Sequence, residues 1–227
     1  MKLINLIFPK KCAYCGDFTG GEVFCRVCAA KYEQIKRVPC KKCGVPHSLC
    51  RCHAEKLMGE KRVVCRHLFA FEGETARGLV YKLKRKNLSG LQKFFGAELA
   101  GLIKEEMRRG EQYIVAYAPR AKKGVSEYGF DQAEILAREA AKILALPQER
   151  LFERERGANV QQKTLGAKER EENAREAYLL CEEVCLEGKT VFIIDDVTTT
   201  GSTAKRLCEL ALSAGACRTV LVTVAKT

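Results

Sequence analysis

Two adjacent carboxylates, Asp195 and Asp196, stand just before a run of hydroxyls and one glycine, Thr198-Thr199-Thr200-Gly201-Ser202-Thr203. Ionised carboxylates only accept hydrogen bonds, so a side-by-side pair suits two vicinal hydroxyls, or a Mg²⁺ shared with a substrate. The loop that follows suits a ligand of opposite character. Its N–H groups and hydroxyls can converge on one anion, and Gly201 lets the backbone approach without a Cβ in the way. Phosphate is the anion such a loop fits. A second chemistry sits near the other end of the chain, where eight of the thirteen cysteines fall between Cys12 and Cys52. They come in pairs: Cys12 with Cys15, Cys25 with Cys28, Cys40 with Cys43, and Cys50 with Cys52. Thiolates so spaced form knuckles that share a tetrahedral Zn²⁺, and eight of them predict two Cys₄ sites. The last pair has a single intervening residue, which leaves His47, His53 and Cys65 as reserve ligands. Sequential pairing of the knuckles closes the shortest loops and is the expected arrangement.

These groups need elements to hold them. Val191 to Ile194 is a short apolar run suited to a strand buried on both faces, and Leu207, Leu210, Ala211 and Ala214 recur at helical spacing. The carboxylates and hydroxyl loop therefore lie between a strand end and a helix N-terminus, whose dipole favours an anion. Tyr113 to Ala118 reads as another strand, ended by Pro119. Arg120 to Tyr128 reads as a loop carrying Arg120, Lys122 and Lys123, placed where open α/β sheets bind ligands. Further strands are expected at Val64–Phe71, Ala177–Leu180 and Thr219–Val224. Helices are expected at Glu72–Lys86, Leu91–Met107 and Phe130–Leu146. The first of these ends in the basic cluster Lys82, Lys84, Arg85 and Lys86. Alternating strands and helices predict an α/β fold with a mostly parallel sheet flanked by helices. Cys181, Cys185, Cys208 and Cys217 stand singly and read as small buried hydrophobes. The expected division is residues 1–60 for the cysteine-rich segment and 61–227 for the sheet domain.

Charge is unevenly shared. The formal net charge of +12 comes mostly from residues 1–66, with 14 Lys/Arg against 5 Asp/Glu. A polyanion partner is therefore to be sought at that end first. Aromatics that could stack on bases there are Tyr14, Phe18, Phe24 and Tyr32. No apolar run approaches the roughly 18 residues of a membrane span, and Met1 to Phe8 is too short for a signal peptide. The reading is a soluble cytoplasmic protein without membrane insertion, in which clustered cysteines mean metal rather than disulfides.

The stretch VFIIDDVTTTGST, Val191 to Thr203, resembles the 5-phosphoribosyl-1-pyrophosphate (PRPP) signature of type I phosphoribosyltransferases. That resemblance implies that Asp195 and Asp196 hold the ribose hydroxyls and that Thr198 to Thr203 wrap the 5′-phosphate. Mg²⁺ would accompany PRPP, and Arg120, Lys122 and Lys123 would grip the pyrophosphate. The chain as a whole resembles the ComF-type competence proteins, which join a double zinc ribbon to a phosphoribosyltransferase-like domain. The resemblance rests on Phe8-Pro9-x₂-Cys12, Tyr81-Lys82-Leu83-Lys84, Tyr128-Gly129-Phe130-Asp131-Gln132, the Gln162, Leu165, Arg170 and Asn173 pattern, and the Asp195–Thr203 loop. Two departures stand out. Tyr117-Ala118-Pro119 replaces the family's Pro-Val-Pro. Tyr128 and Asp131 replace an Arg and an Asn, removing a cation and adding an anion near the expected pyrophosphate. The family's implied role is handling single-stranded DNA in natural transformation, alongside other competence proteins. The alternative is a true phosphoribosyltransferase acting on a small acceptor. Thr199 takes the position where purine phosphoribosyltransferases carry an acidic base, so that base is missing.

Overall fold

Strands that are apolar on both faces need cover on both faces, and the sheet is built accordingly. The computed structural model describes residues 10–54, 62–154 and 177–227. Its main sheet has four strands: β1 (Val63–Ala70), β2 (Gln112–Tyr117), β5 (Lys189–Thr198) and β6 (Arg218–Lys226). Their spatial order is β1-β6-β5-β2 and every pair is parallel. Alternate residues face opposite cores, as the period of two demands. Phe192 and Ile194 enter one core with Leu79, Leu83, Phe95 and Leu136. Val191 and Ile193 enter the other with Leu207, Cys208 and Ala211. The first core is covered by α2 (Gly73–Arg85), α3 (Ser89–Glu106) and α5 (Gln132–Leu144), and the second by α6 (Ser202–Ser213).

The cysteine-rich segment packs onto the same body. Its one long helix, α1 (Arg26–Arg37), buries Tyr32 in the first core. Tyr32 meets Phe94 edge-on at 5.0 Å, and Phe24 meets the same ring at 4.9 Å. The segment also covers β1, an edge strand whose eight residues are all buried. Covering an edge removes its tendency to pair with another chain. Among the described residues, no helix is long and apolar enough to cross a membrane.

Several expected elements differ. Arg120–Tyr128 is not an open loop, because Lys122–Tyr128 forms a short helix, α4, closed by Gly129. The strand expected at Ala177–Leu180 is β4 (Tyr178–Leu180), but it pairs antiparallel with β3 (Phe152–Arg154) outside the main sheet. Three residues per strand with one face on α6 make a flap instead of a sheet member. Of the four single cysteines only Cys208 is buried; Cys181 is partly exposed, and Cys185 and Cys217 are exposed. They lie on turns and strand ends, where no second layer covers them. Gln161, Gln162, Leu165, Arg170 and Asn173 lie outside the described residues, as does the lead-in through Pro9.

Candidate functional site

The eight paired cysteines come together in sequential order. Cys12, Cys15, Cys25 and Cys28 form one group and Cys40, Cys43, Cys50 and Cys52 the other, each with all sulfurs within 4.8 Å of one another. Zn–S bonds of about 2.3 Å require tetrahedron edges of about 3.8 Å. Cys15 and Cys25 sulfurs are 3.7 Å apart, and those of Cys43 and Cys50 are 3.6 Å apart. Both groups thus fit one Zn²⁺ each. They are local copies: the Cys12 and Cys40 N–H groups donate to the Asp17 and Val45 carbonyls, and Gly16 and Gly44 donate back to Cys12 and Cys40. Burial alone would raise the thiols of Cys12 and Cys40. Nearby backbone N–H groups outweigh it and bring them down to about 6 and about 7. The reserve ligands belong to neither group. His53 Nδ1 lies 3.1 Å from His67 Nε2, Cys65 is buried in the second core, and His47 is buried near Lys226.

At the far end of the sheet, β5 extends further than the apolar run, so Asp195 and Asp196 lie within the strand, which ends only at Thr198. The pleat splits their directions. Asp195 accepts the Asp196 N–H at 2.7 Å, and Asp196 pairs with Lys84 Nζ at 3.1 Å. Burial, reinforced by the Asp196 charge, pushes the Asp195 carboxyl up to about 8, against the opposing pull of Lys84. Lys84 comes from the last turn of α2, so part of the basic cluster reaches the acidic pair directly.

Beyond the carboxylates, Asp195 and Val197 to Ala204 line a concavity of about 60 Å³. That is room for a few waters or one tetrahedral oxyanion. Gly201 sits at φ 87°, the left-handed region open to glycine, and so turns the chain sharply into α6. The helix has no side-chain cap and no acid in its first turn. Its first N–H groups therefore point toward the concavity with the positive end of the dipole. Thr200 and Ser202 hydroxyls lie 3.0 Å apart at its rim. The Thr198 hydroxyl is buried in its lining with no hydrogen-bond partner. Thr199 and Thr203 complete the same lining, so all six residues of the hydroxyl loop meet there.

The expected cationic side is only partly described. Arg120 follows the β2 end, its guanidinium stacked 4.6 Å from the Tyr128 ring. Its Nη1 is buried without a partner among the described residues. Lys122 and Lys123 open α4, and their side chains lie outside the described ones. Tyr128 also lies 5.9 Å from Arg85, so two guanidinium groups gather where the resemblance had a single Arg. Asp131 is not a loose anion. It caps α5 by accepting N–H groups of Ala133 and Glu134, and it also takes the Arg120 N–H at 2.7 Å. Tyr178, from the flap strand β4, was not foreseen. It is buried beside Thr203 and Asp195, and Arg206 of α6 donates to its carbonyl. No local pattern marks a lone tyrosine in a three-residue strand.

Residues 3–68 match the double zinc ribbon domain family, and the N-terminal part of the chain is a double zinc ribbon with two Cys₄ sites. No curated protein matches the chain. Among solved structures, it is similar to a hypoxanthine phosphoribosyltransferase from Staphylococcus aureus, at 15% identity and TM-score 0.38, covering 60% of this chain and 63% of that one. It is also similar to glutamine PRPP amidotransferase from B. subtilis complexed with ADP and GMP, at 19% identity and TM-score 0.42, covering 63% and 30% respectively. A third likeness is to adenine phosphoribosyltransferase from Leishmania tarentolae, at 14% identity and TM-score 0.39, covering 65% and 74%. The chain thus spans less than two-thirds of the first two of these structures.

Proposed function

We propose that this chain is a PRPP-binding protein of the ComF type, acting in the cytoplasm on single-stranded DNA during transformation beside other competence proteins. One observation carries the PRPP reading. An acidic pair and a phosphate-sized concavity over an uncapped helix N-terminus adjoin at one strand end. The ribose hydroxyls donate to Asp195 and Asp196, and the 5′-phosphate accepts from N–H groups and hydroxyls of Thr198 to Thr203. Arg120, with Lys122 and Lys123, receives the pyrophosphate. Lys84 must leave Asp196 as the sugar arrives, and the pyrophosphate offers it a new counter-charge. A bound Mg²⁺ would neutralise pyrophosphate charge, and carboxylates at this strand end are hard oxygen ligands of the kind it takes.

The second reading, ribosyl transfer to a small acceptor, is favoured by Arg120. A grip on the leaving group matters more for a reaction than for binding alone. In that reading the C1–O bond to pyrophosphate breaks as a bond to the acceptor forms. Thr199 cannot take the acceptor's proton, so in that reading the proton passes to water or to the departing pyrophosphate. Calorimetric titration with Mg²⁺ and PRPP, with ribose 5-phosphate as the fragment control, tests the binding claim. Saturable PRPP binding with a weaker ribose 5-phosphate isotherm is expected; no heat from either ligand overturns it. Pyrophosphate release on adding an acceptor would decide for the second reading.

A further inference from the structure

The structure narrows where a single strand can lie. Phe24 and Tyr32, two of the ribbon's four candidate stacking aromatics, are buried in the first core and cannot stack on bases. Lys41 is neutralised by Glu72 at 2.7 Å. Two of the ribbon's other lysines, with three from the end of α2 and from α3, gather on one trough. The first knuckle and the start of α3 enclose a concavity of about 710 Å³ lined by Lys10, Lys11, Lys82, Lys86 and Lys93, with Glu22 the only carboxylate among the described residues that line it. Lys82, Lys86 and Lys93 form no ion pair among the described residues. Among the described residues, no aromatic side chain lines this part of the trough. Through Lys82 it continues into a second concavity of about 730 Å³, lined by Tyr14, Tyr81 and Arg77, with Glu74 as a carboxylate at its far side. Tyr81 is 53% exposed. Five cations followed by two tyrosines and an arginine is the order a single strand needs, with a tract for phosphates and then ring faces for bases.

We infer that this continuous trough, between the first zinc knuckle and helices α2 and α3, binds a single-stranded polynucleotide without sequence preference. The inference rests on the single-strand reading above and gives it a location. Two features hold the trough in shape. Gly78 lets the Tyr14 ring lie directly on α2, where an added Cβ would come within 2.8 Å of it. Lys82 and Lys86 are one helical turn apart on a common face, while Lys84 points around α2 to Asp196. The strand and PRPP therefore use different sides of the same helix end, and one can bind without displacing the other.

The test is a fluorescence-anisotropy titration of the zinc-loaded full chain with a mixed-sequence single-stranded oligonucleotide across a salt series. Lys86→Glu/Lys93→Glu should lower affinity at least 10-fold and flatten the log–log salt slope by about 1.4, since each single-strand phosphate contact contributes about 0.7. Tyr81→Ala should lower affinity about 5- to 100-fold without changing the slope, as loss of one stacked base does. Lys41→Glu should leave both values in place, and the Lys86→Glu/Lys93→Glu protein should titrate with Mg²⁺ and PRPP like the parent. If the parent binds no oligonucleotide at low salt, the single-strand reading itself fails. If it binds but Lys86→Glu/Lys93→Glu binds equally well, or Lys41→Glu weakens it as much, the trough is wrong and the broader reading survives.

Discussion

The two zinc knuckles have the same local construction and are attached to the protein in opposite ways. The second is joined by buried charge. Glu106, 4% exposed, accepts from Arg51 of the ribbon and from Arg66 and Arg218 of β1 and β6. Arg66 also donates to the Ser48 carbonyl, and His53 adjoins the buried His67, whose other nitrogen lies 2.7 Å from the Thr223 hydroxyl. The first is joined mainly by ring packing, through Phe24 and Tyr32 against Phe94 and Phe95 and through Tyr14 against α2, with a single half-buried carboxylate, Glu98, accepting from Tyr32 and Lys36. Its polar groups are thereby left on the outside, where they form one wall of the lysine trough. The comparison separates two uses of one motif. Buried ion networks fix a position and leave nothing for a ligand, whereas apolar attachment leaves the charges available.

Loss of one zinc is the strongest way to test that contrast. Structural Zn²⁺ contributes about 10–16 kcal/mol in zinc-finger peptides, as much as the net stability of a whole domain. Cys40→Ser/Cys43→Ser should bind one zinc by elemental analysis. It should lower the calorimetric transition of the sheet domain too, because Arg51 and His53 lose their anchor. Cys12→Ser/Cys15→Ser should also bind one zinc but affect that transition less; equal effects would erase the distinction. Glu106→Gln comes next. It leaves guanidinium groups buried beside a neutral amide, and a cost of about 3–5 kcal/mol in urea denaturation is expected. Gly78→Val should cost about 1–3 kcal/mol by overpacking against Tyr14, with both zinc ions retained. An unchanged midpoint would mean that the first knuckle is not seated on α2.

The smallest effect concerns the other end of the sheet. The Asp195 carboxyl titrates near 8 in the folded protein, above the unfolded value of about 3.9. Between those values the folded state keeps a proton the unfolded chain has released, so stability is greatest at the acid end of that window and declines as pH rises through it. Asp195→Asn should flatten this decline between about pH 4 and 8. At pH 8 and without ligand it should exceed the parent in stability, since the amide carries no charge to bury. A parallel stability–pH curve for parent and variant would place the charge cost elsewhere.

What could be read from the chain followed the physics of locality. Knuckle ligands and the hydroxyl loop are contiguous, so Cys12 to Cys52 and Thr198 to Thr203 were legible by type and spacing alone. Sequential zinc pairing followed from loop closure. The unbroken apolar run Val191 to Ile194 marked a strand buried on both faces. Partners distant in sequence were not legible: nothing near Lys84 announces Asp196, 112 positions away by the numbering, and nothing near Arg51 announces Glu106. The lone Tyr178 and the flap it belongs to were hidden for the same reason. Burial of Phe24 and Tyr32 came from packing against α3, which the ribbon's own composition does not encode. The Asp131 departure looked like an added anion because its capping partners, Ala133 and Glu134, are backbone groups without side-chain identity.

The central claim is that the acidic end of β5 and the loop beyond it hold PRPP, and parallel calorimetric titrations of the parent and Asp196→Asn test it most directly. The account predicts that Asp196→Asn keeps two zinc ions and weakens PRPP binding by at least about 1.5–3 kcal/mol, the value of a hydrogen bond to a charged group. An Asp196→Asn protein that binds PRPP as tightly as the parent would contradict it and make the acidic pair a structural partner of Lys84 alone.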